Sequence, residues 1–209
     1  MAEIRETILG LRDWIGCDRV NYPLVFLGQN DALSCETGVL EEAANMAYEV
    51  LSIEDNYFST SGLLLFGSPQ SILEKGIRDF LRLDALPFNR IYINIGIESL
   101  YGPTLSALGR PFDVILSQKA LKFIDEIHDA TQKVEVSTNF LISPTFPQEH
   151  TQLLEDYLVG LEDGGRRGKI FLSPLFGQYE SIGAIKREVF RLKARSLRPV
   201  YLYFLIPYA

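Results

Sequence analysis

Six short apolar runs rich in β-branched and aromatic residues recur along the chain, and a helical pattern separates each from the next. The runs are PLVFLG (23–28), GLLLFG (62–67), RIYINIG (90–96), VEVSTNFLI (134–142), KIFLS (169–173) and PVYLYFLI (199–206). Between them, apolar residues fall three and four apart. The sets are Leu40, Ala43, Ala44, Ala47 and Val50 behind Thr37 as N-cap, a helix from Ser71 onward, then Leu116, Ala120, Phe123, Ile124 and Ile127. Leu154, Tyr157, Leu158 and Leu161 follow, and then Ile182, Ile185, Val189 and Leu192. This alternation dictates a parallel sheet with right-handed crossovers, an α/β fold read here as a partial (β/α) barrel of about six parallel strands. The run RIYINIG carries so few polar residues that it reads as a strand covered on both faces.

The chain opens on a helix, with Ile4, Ile8, Leu11 and Ile15 recurring at helical spacing, and closes on a strand. A parallel domain ordinarily begins on a strand, so the expectation is a single domain, 1–209, whose first strand is missing. The strand near Leu24 would then have an unpaired apolar edge, which favours self-association or cover by the chain's own ends.

With 209 residues, 47% of them hydrophobic, the chain can bury one sizeable core. A net charge of −7 argues against non-specific binding to nucleic acid or anionic membranes. No apolar run approaches the roughly 18 residues of a spanning helix, and the N-terminus lacks a signal-peptide layout. Two cysteines cannot build a disulfide framework, so the expected compartment is cytoplasmic. From Arg166 to Arg198 nine basic residues face two acidic ones. A solvated helix face is the expected use of this stretch, and contact with an acidic substrate or a neighbouring domain is the alternative.

Chemistry is expected beyond the carboxyl ends of the strands, where ligands bind in parallel α/β folds. The residues there turn small and polar: GQND (28–31), GSPQS (67–71), GIES (96–99), SPTFPQ (143–148) and SPLFGQ (173–178). Glu98 stands out, a carboxylate at the mouth of a deeply apolar strand. It is read either as facing a ligand or as a structural partner of Arg110. Asp31 is read as a site residue or a turn cap. His128 and His150 lack a third ligand at zinc spacing, and no nucleophile elbow or phosphate loop is present. Tyr201 and Tyr203 read as packing residues.

The succession VFLGQNDAL, FGSPQSIL, YINIGIESLYGPTLSALGR and VEVSTNFLI resembles strands two to five of the radical S-adenosylmethionine enzyme core. The resemblance covers roughly residues 5 to 180 and is strongest from Ile93 to Arg110. It implies a partial (β/α)6 barrel that holds a 4Fe–4S cluster and S-adenosylmethionine and generates a 5′-deoxyadenosyl radical. It also implies site residues. Gly28, Gln29, Asn30 and Asp31 match the turn that receives the methionine amino group, with Gln29 departing from the usual glycine. Gly96 and Glu98 match a cofactor contact, and Arg110, twelve positions later, matches the partner of the methionine carboxylate. Asn139 matches a polar residue near the ribose, Ser68 is a rim candidate, and Pro174, in SPLF, would lie beside the adenine.

The family's Cys-x-x-x-Cys-x-x-Cys loop is the departure. Cys17 and Cys35 are eighteen residues apart, and neither lies in such a loop. The expectation is that this chain holds no cluster or other metal, either because a segment ahead of Met1 is missing or because the protein is a degenerate relative; the opening on a helix favours the former. The substrate is not legible. Two other readings stand beside the resemblance: a conventional barrel lyase or isomerase using Glu98 as base with Arg110 or Lys119 holding an anion, and a non-catalytic module binding a nucleoside or a protein at the same rim.

Overall fold

The structure is a computed structural model and describes residues 1–28, 30–161, 167–175 and 182–203. Six strands form one sheet in sequential order: β1 Leu24–Leu27, β2 Gly62–Gly67, β3 Arg90–Glu98, β4 Val134–Ile142, β5 Ile170–Pro174 and β6 Val200–Leu202. Every neighbouring pair is parallel. The helices are α1 Ala2–Ile15, α2 Thr37–Val50, α3 Pro69–Glu74, α4 Ile77–Asp84, α5 Gly102–Ala107, α6 Val114–Ala130, α7 Gln148–Val159 and α8 Ile182–Lys193. With strands in sequence order and crossovers of one hand, the crossover helices all fall on one side of the sheet.

The burial pattern follows from that one-sided cover. Leu63, Leu65, Ile91, Ile93, Ile95, Val134, Val136, Ile170, Leu172 and Val200 are buried against the helices. Each contributes about 1.5–3 kcal/mol of apolar burial. Their alternates face the other way. Phe26, Leu64, Tyr92 and Glu135 form one rung across the sheet, and Phe66, Asn94 and Ser137 form the next. Gly96, Asn139, Phe171 and Tyr201 follow nearer the strand ends. These rungs line the concave side, as in a partial barrel. The strand RIYINIG is therefore covered by helices on one face only, because Tyr92, Asn94 and Gly96 point into the concavity and are only partly buried.

Several local readings are corrected. Thr37 does not cap α2: Glu36 holds the cap position, and the Thr37 hydroxyl donates to Asp79 Oδ1 at 2.7 Å, tying α2 to α4. The helix expected from Ser71 is two helices, broken at Lys75 and Gly76, the first capped by Ser68. The opening helix is present as α1, on which Ile8 is buried and Leu11 exposed. The last strand is Val200–Leu202, shorter than the run 199–206, whose final residues lie outside the described ones.

Among the described residues β1 pairs only with β2 and β6 only with β5. The β1 edge exposes Leu24 and Phe26, with Trp14 and Tyr22 also exposed on the segments before it. The basic stretch is more than a solvated face: Lys169 pairs with Glu135, Arg191 and Arg195 with Glu155, and Arg198 with Asp125. Arg167 donates to the carbonyls of His128, Thr131 and Gln132, while Lys186, Arg187 and Lys193 are exposed. Among the described residues no helix is long and apolar enough to cross a membrane.

Candidate functional site

The end of β3 departs from regular strand geometry. The β3–β4 register shifts between Gly96 and Glu98, and Glu98 adopts φ 64°, in the left-handed region. The Ser99 N–H donates to the Ile97 carbonyl at 2.7 Å, closing a three-residue turn around Glu98. A side-chain-bearing residue there carries about 1–3 kcal/mol of strain, which concentrates at functional sites. Bulges are likewise used to re-aim a side chain.

The re-aimed side chain is the carboxylate. Glu98 is 8% exposed, and a Cβ on Gly96 would lie 2.8 Å from Glu98 Oε1. The glycine two residues earlier is what lets the carboxylate fold back over the strand. Glu98 Oε1 accepts from Arg110 Nη2 at 3.0 Å, whereas Oε2 is buried with no hydrogen-bond partner among the described residues. Burial pushes the Glu98 pKa above its ordinary value, and the Arg110 charge only partly opposes this.

Around this pair opens a cavity of about 690 Å³ at the carboxyl ends of the strands, lined by Asn30, Asp31, Ser68, Asn94, Glu98, Arg110 and Asn139 among others. Three buried oxygens along its wall lack any partner among the described residues: Asp31 Oδ1, Asn94 Oδ1 and Glu98 Oε2. Buried acceptors are ordinarily satisfied, so three orphans around one space call for a ligand rich in donors. Arg110, whose side chain is 40% exposed, offers guanidinium donors on the same wall. Ser173 donates to Asn139 Oδ1 at 2.6 Å, which leaves the Asn139 amide group as its remaining donor. The cavity wall thus carries unpartnered acceptors and a guanidinium side by side.

The cavity continues into the concave face. A second space of about 380 Å³ shares Phe66, Asn94 and Tyr203 with the first and is walled by Phe26, Leu64, Tyr92 and Phe171. Near its base the Lys169 ammonium pairs with Glu135 and lies 5.3 Å from the centre of the Tyr92 ring. The apolar surroundings favour that pairing over an unpaired Lys169.

Seven expected residues, Asn30, Asp31, Ser68, Gly96, Glu98, Arg110 and Asn139, lie together on the mouth cavity. Gly28 sits just after β1 with φ 75°, where a Cβ would fall 2.9 Å from the Ala32 Cβ, so glycine is required for the turn that presents Asp31. Pro174 ends β5 at the same end of the sheet but is not among the cavity's lining. Gln29 lies outside the described residues. Lys119 is exposed on α6 and is not among the lining residues, so the lyase alternative keeps only Arg110 as an anion holder.

Two contributors escaped the sequence reading. Asn94 lies in a run whose apolar character suggests cover on both faces, and its alternation with Tyr92 and Gly96 is the signal for the concave face. His150 is 2% exposed and hydrogen-bonded to Ser99, beside Glu98, at 2.8 Å. Nothing in the local sequence connects the two.

A 4Fe–4S cluster of the expected type needs three thiolates. The chain has two cysteines, both exposed, and no group of three metal-ligating side chains occurs among the described residues. These residues do not fit a cluster. On the mouth cavity the orphan acceptors of Asp31, Asn94 and Glu98 share one lining with the Arg110 guanidinium. No family model matches the chain, and no curated protein matches it either.

Proposed function

We propose that this chain is a radical S-adenosylmethionine-type half-barrel whose residues bind and orient S-adenosylmethionine at the strand mouths. The observation that carries the reading is the set of three unpartnered acceptors, from Asp31, Asn94 and Glu98, on the same cavity as Arg110. An α-amino acid zwitterion supplies what that wall lacks: an ammonium for the Asp31 and Glu98 oxygens and a carboxylate for the guanidinium. Asn139 and Ser68, which line the same cavity, are assigned to the ribose hydroxyls in this reading. Because the two cysteines do not fit a cluster, no cleavage step is assigned to these residues. Their part is binding, orientation and exclusion of water.

A second reading has its own support. A buried carboxylate with a raised pKa beside an arginine is the arrangement of a general base holding an anionic substrate. Equilibrium binding separates the two. S-adenosylmethionine and S-adenosylhomocysteine are expected to bind, and 5′-methylthioadenosine, which lacks the amino-acid end, to bind at least about tenfold more weakly. Arg110→Ala should narrow that difference, because the carboxylate contact is lost while the ammonium keeps the Asp31 and Glu98 oxygens. Equal binding of all three, or of none, contradicts the proposal.

A further inference from the structure

The side chain at position 98 acts in the mouth cavity, yet nothing in its own contacts explains why its backbone stays in the left-handed region. Among the described residues the carboxylate has one partner, Arg110, and one orphan oxygen. The restraint lies one residue on. Ser99 is fully buried, and its hydroxyl oxygen accepts from the Tyr101 N–H at 2.9 Å and lies 2.8 Å from His150 Nδ1. His150 Nε2 lies 2.9 Å from the Leu141 carbonyl of β4. A carbonyl only accepts, so Nε2 carries the proton, Nδ1 is bare, and the Ser99 hydroxyl donates to it. The Phe146 ring packs on the imidazole at 4.6 Å between centroids, and the His150 N–H donates to the Pro147 carbonyl at 3.1 Å. Serine, imidazole and β4 backbone thus form a continuous bridge from the turn after Glu98 to the neighbouring strand.

We infer that Ser99 and His150 are positioning residues, a buried clamp that holds the turn at Glu98 and so keeps its carboxylate folded over Gly96 toward Arg110. Neither side chain is among those lining the cavity, so neither is assigned a contact with the ligand. The clamp acts by geometry: if Ser99 loses its anchor, residue 98 is free to relax to extended backbone, and its carboxylate turns toward water. His150 suits the task because burial keeps its pKa below the ordinary value, so the ring stays neutral with its acceptor nitrogen free.

The test compares Ser99→Ala, His150→Gln and His150→Asn with the unaltered chain. Asparagine places an acceptor oxygen near the Nδ1 position, whereas glutamine reaches the Leu141 carbonyl but offers Ser99 no acceptor in that place. The first readout needs no ligand: the titration of Glu98 followed by carboxyl ¹³C NMR, assigned by Glu98→Gln. The other titratable groups lining the cavity are Asp31, Glu74, Arg110 and Tyr203, and all are unchanged in these variants. Ser99→Ala and His150→Gln should bring the Glu98 midpoint down toward an ordinary glutamate, and His150→Asn should keep it close to that of the unaltered chain. The second readout is affinity for S-adenosylmethionine, and this arm rests on the proposed function. It should fall about tenfold in the first two variants, as expected for one buried hydrogen bond, and by less in the third. Ser99→Ala removes a single oxygen and keeps the test open if the His150 variants do not fold. An unchanged Glu98 titration in folded Ser99→Ala overturns the clamp, and so does a His150→Asn protein that titrates like His150→Gln. If Glu98 shifts as expected but no form binds S-adenosylmethionine, the clamp stands and the ligand assignment falls.

Discussion

Replacing Glu98 with glutamine should stabilise the protein while weakening its site. In the folded chain Glu98 is 8% exposed, its Oε2 has no partner among the described residues, and its pKa is raised by burial. An unsatisfied buried acceptor costs about 1–3 kcal/mol, more when charged. Against this stands the bond to Arg110, whose side chain is 40% exposed, so the pair contributes at most about 1 kcal/mol. The balance favours the neutral amide by about 1 kcal/mol, or a rise of about 2–4 °C in Tm for a domain of this size. The pH dependence makes the test specific. A carboxyl with a folded pKa above its ordinary value of 4.5 destabilises the fold above that folded pKa and costs nothing once the pH lies below 4.5. Thermal melts of both proteins should therefore differ most at pH 7 and above and converge near pH 4. A Glu98→Gln protein that melts lower at pH 7, or whose difference does not change with pH, would refute the reasoning.

Two further perturbations follow from the same geometry. Gly96→Ala would place a Cβ 2.8 Å from Glu98 Oε1; the flexible carboxylate yields, so Tm should move little, while affinity for S-adenosylmethionine falls about tenfold as the Arg110 contact is lost. His128, held near pKa 4 by burial and by the Arg167 and Arg198 charges, accepts the Val136 N–H at 2.9 Å and must stay neutral to do so. Its ordinary value is 6.5, so stability present above that pH should be lost by about 3 kcal/mol as the pH falls to about 4. Denaturant melts of His128→Gln should lack that portion of the slope.

The strands were legible because parallel β-runs and amphipathic helices differ in period, and GLLLFG and VEVSTNFLI carry that difference within a few residues. Their order also placed Asp31, Ser68, Glu98 and Asn139 at one end, since parallel strands end together. What failed depended on which face a residue took. Tyr92 counts as apolar and Asn94 as an interruption, so RIYINIG looked doubly covered, although its alternation already marked one face for the concavity. Thr37 looked like a cap because the sequence does not show that Asp79, forty-two residues on, takes its hydroxyl. The clamp was invisible for the same reason: Ser99 and His150 are fifty-one residues apart and meet only through the β3–β4 register. The left-handed backbone at Glu98 has no sequence mark, because residues that favour that region are glycine and asparagine rather than glutamate.

The central claim is that the mouth cavity takes the amino-acid end of S-adenosylmethionine, and an experimental structure of the chain soaked or co-crystallised with that ligand tests it most directly. The account predicts the ligand ammonium within hydrogen-bond distance of the Asp31 and Glu98 carboxyl oxygens, orphaned in the free chain, with its carboxylate on Arg110. Ligand bound away from this cavity, or bound in it with the adenine against Arg110 and the amino acid in solvent, would contradict the claim.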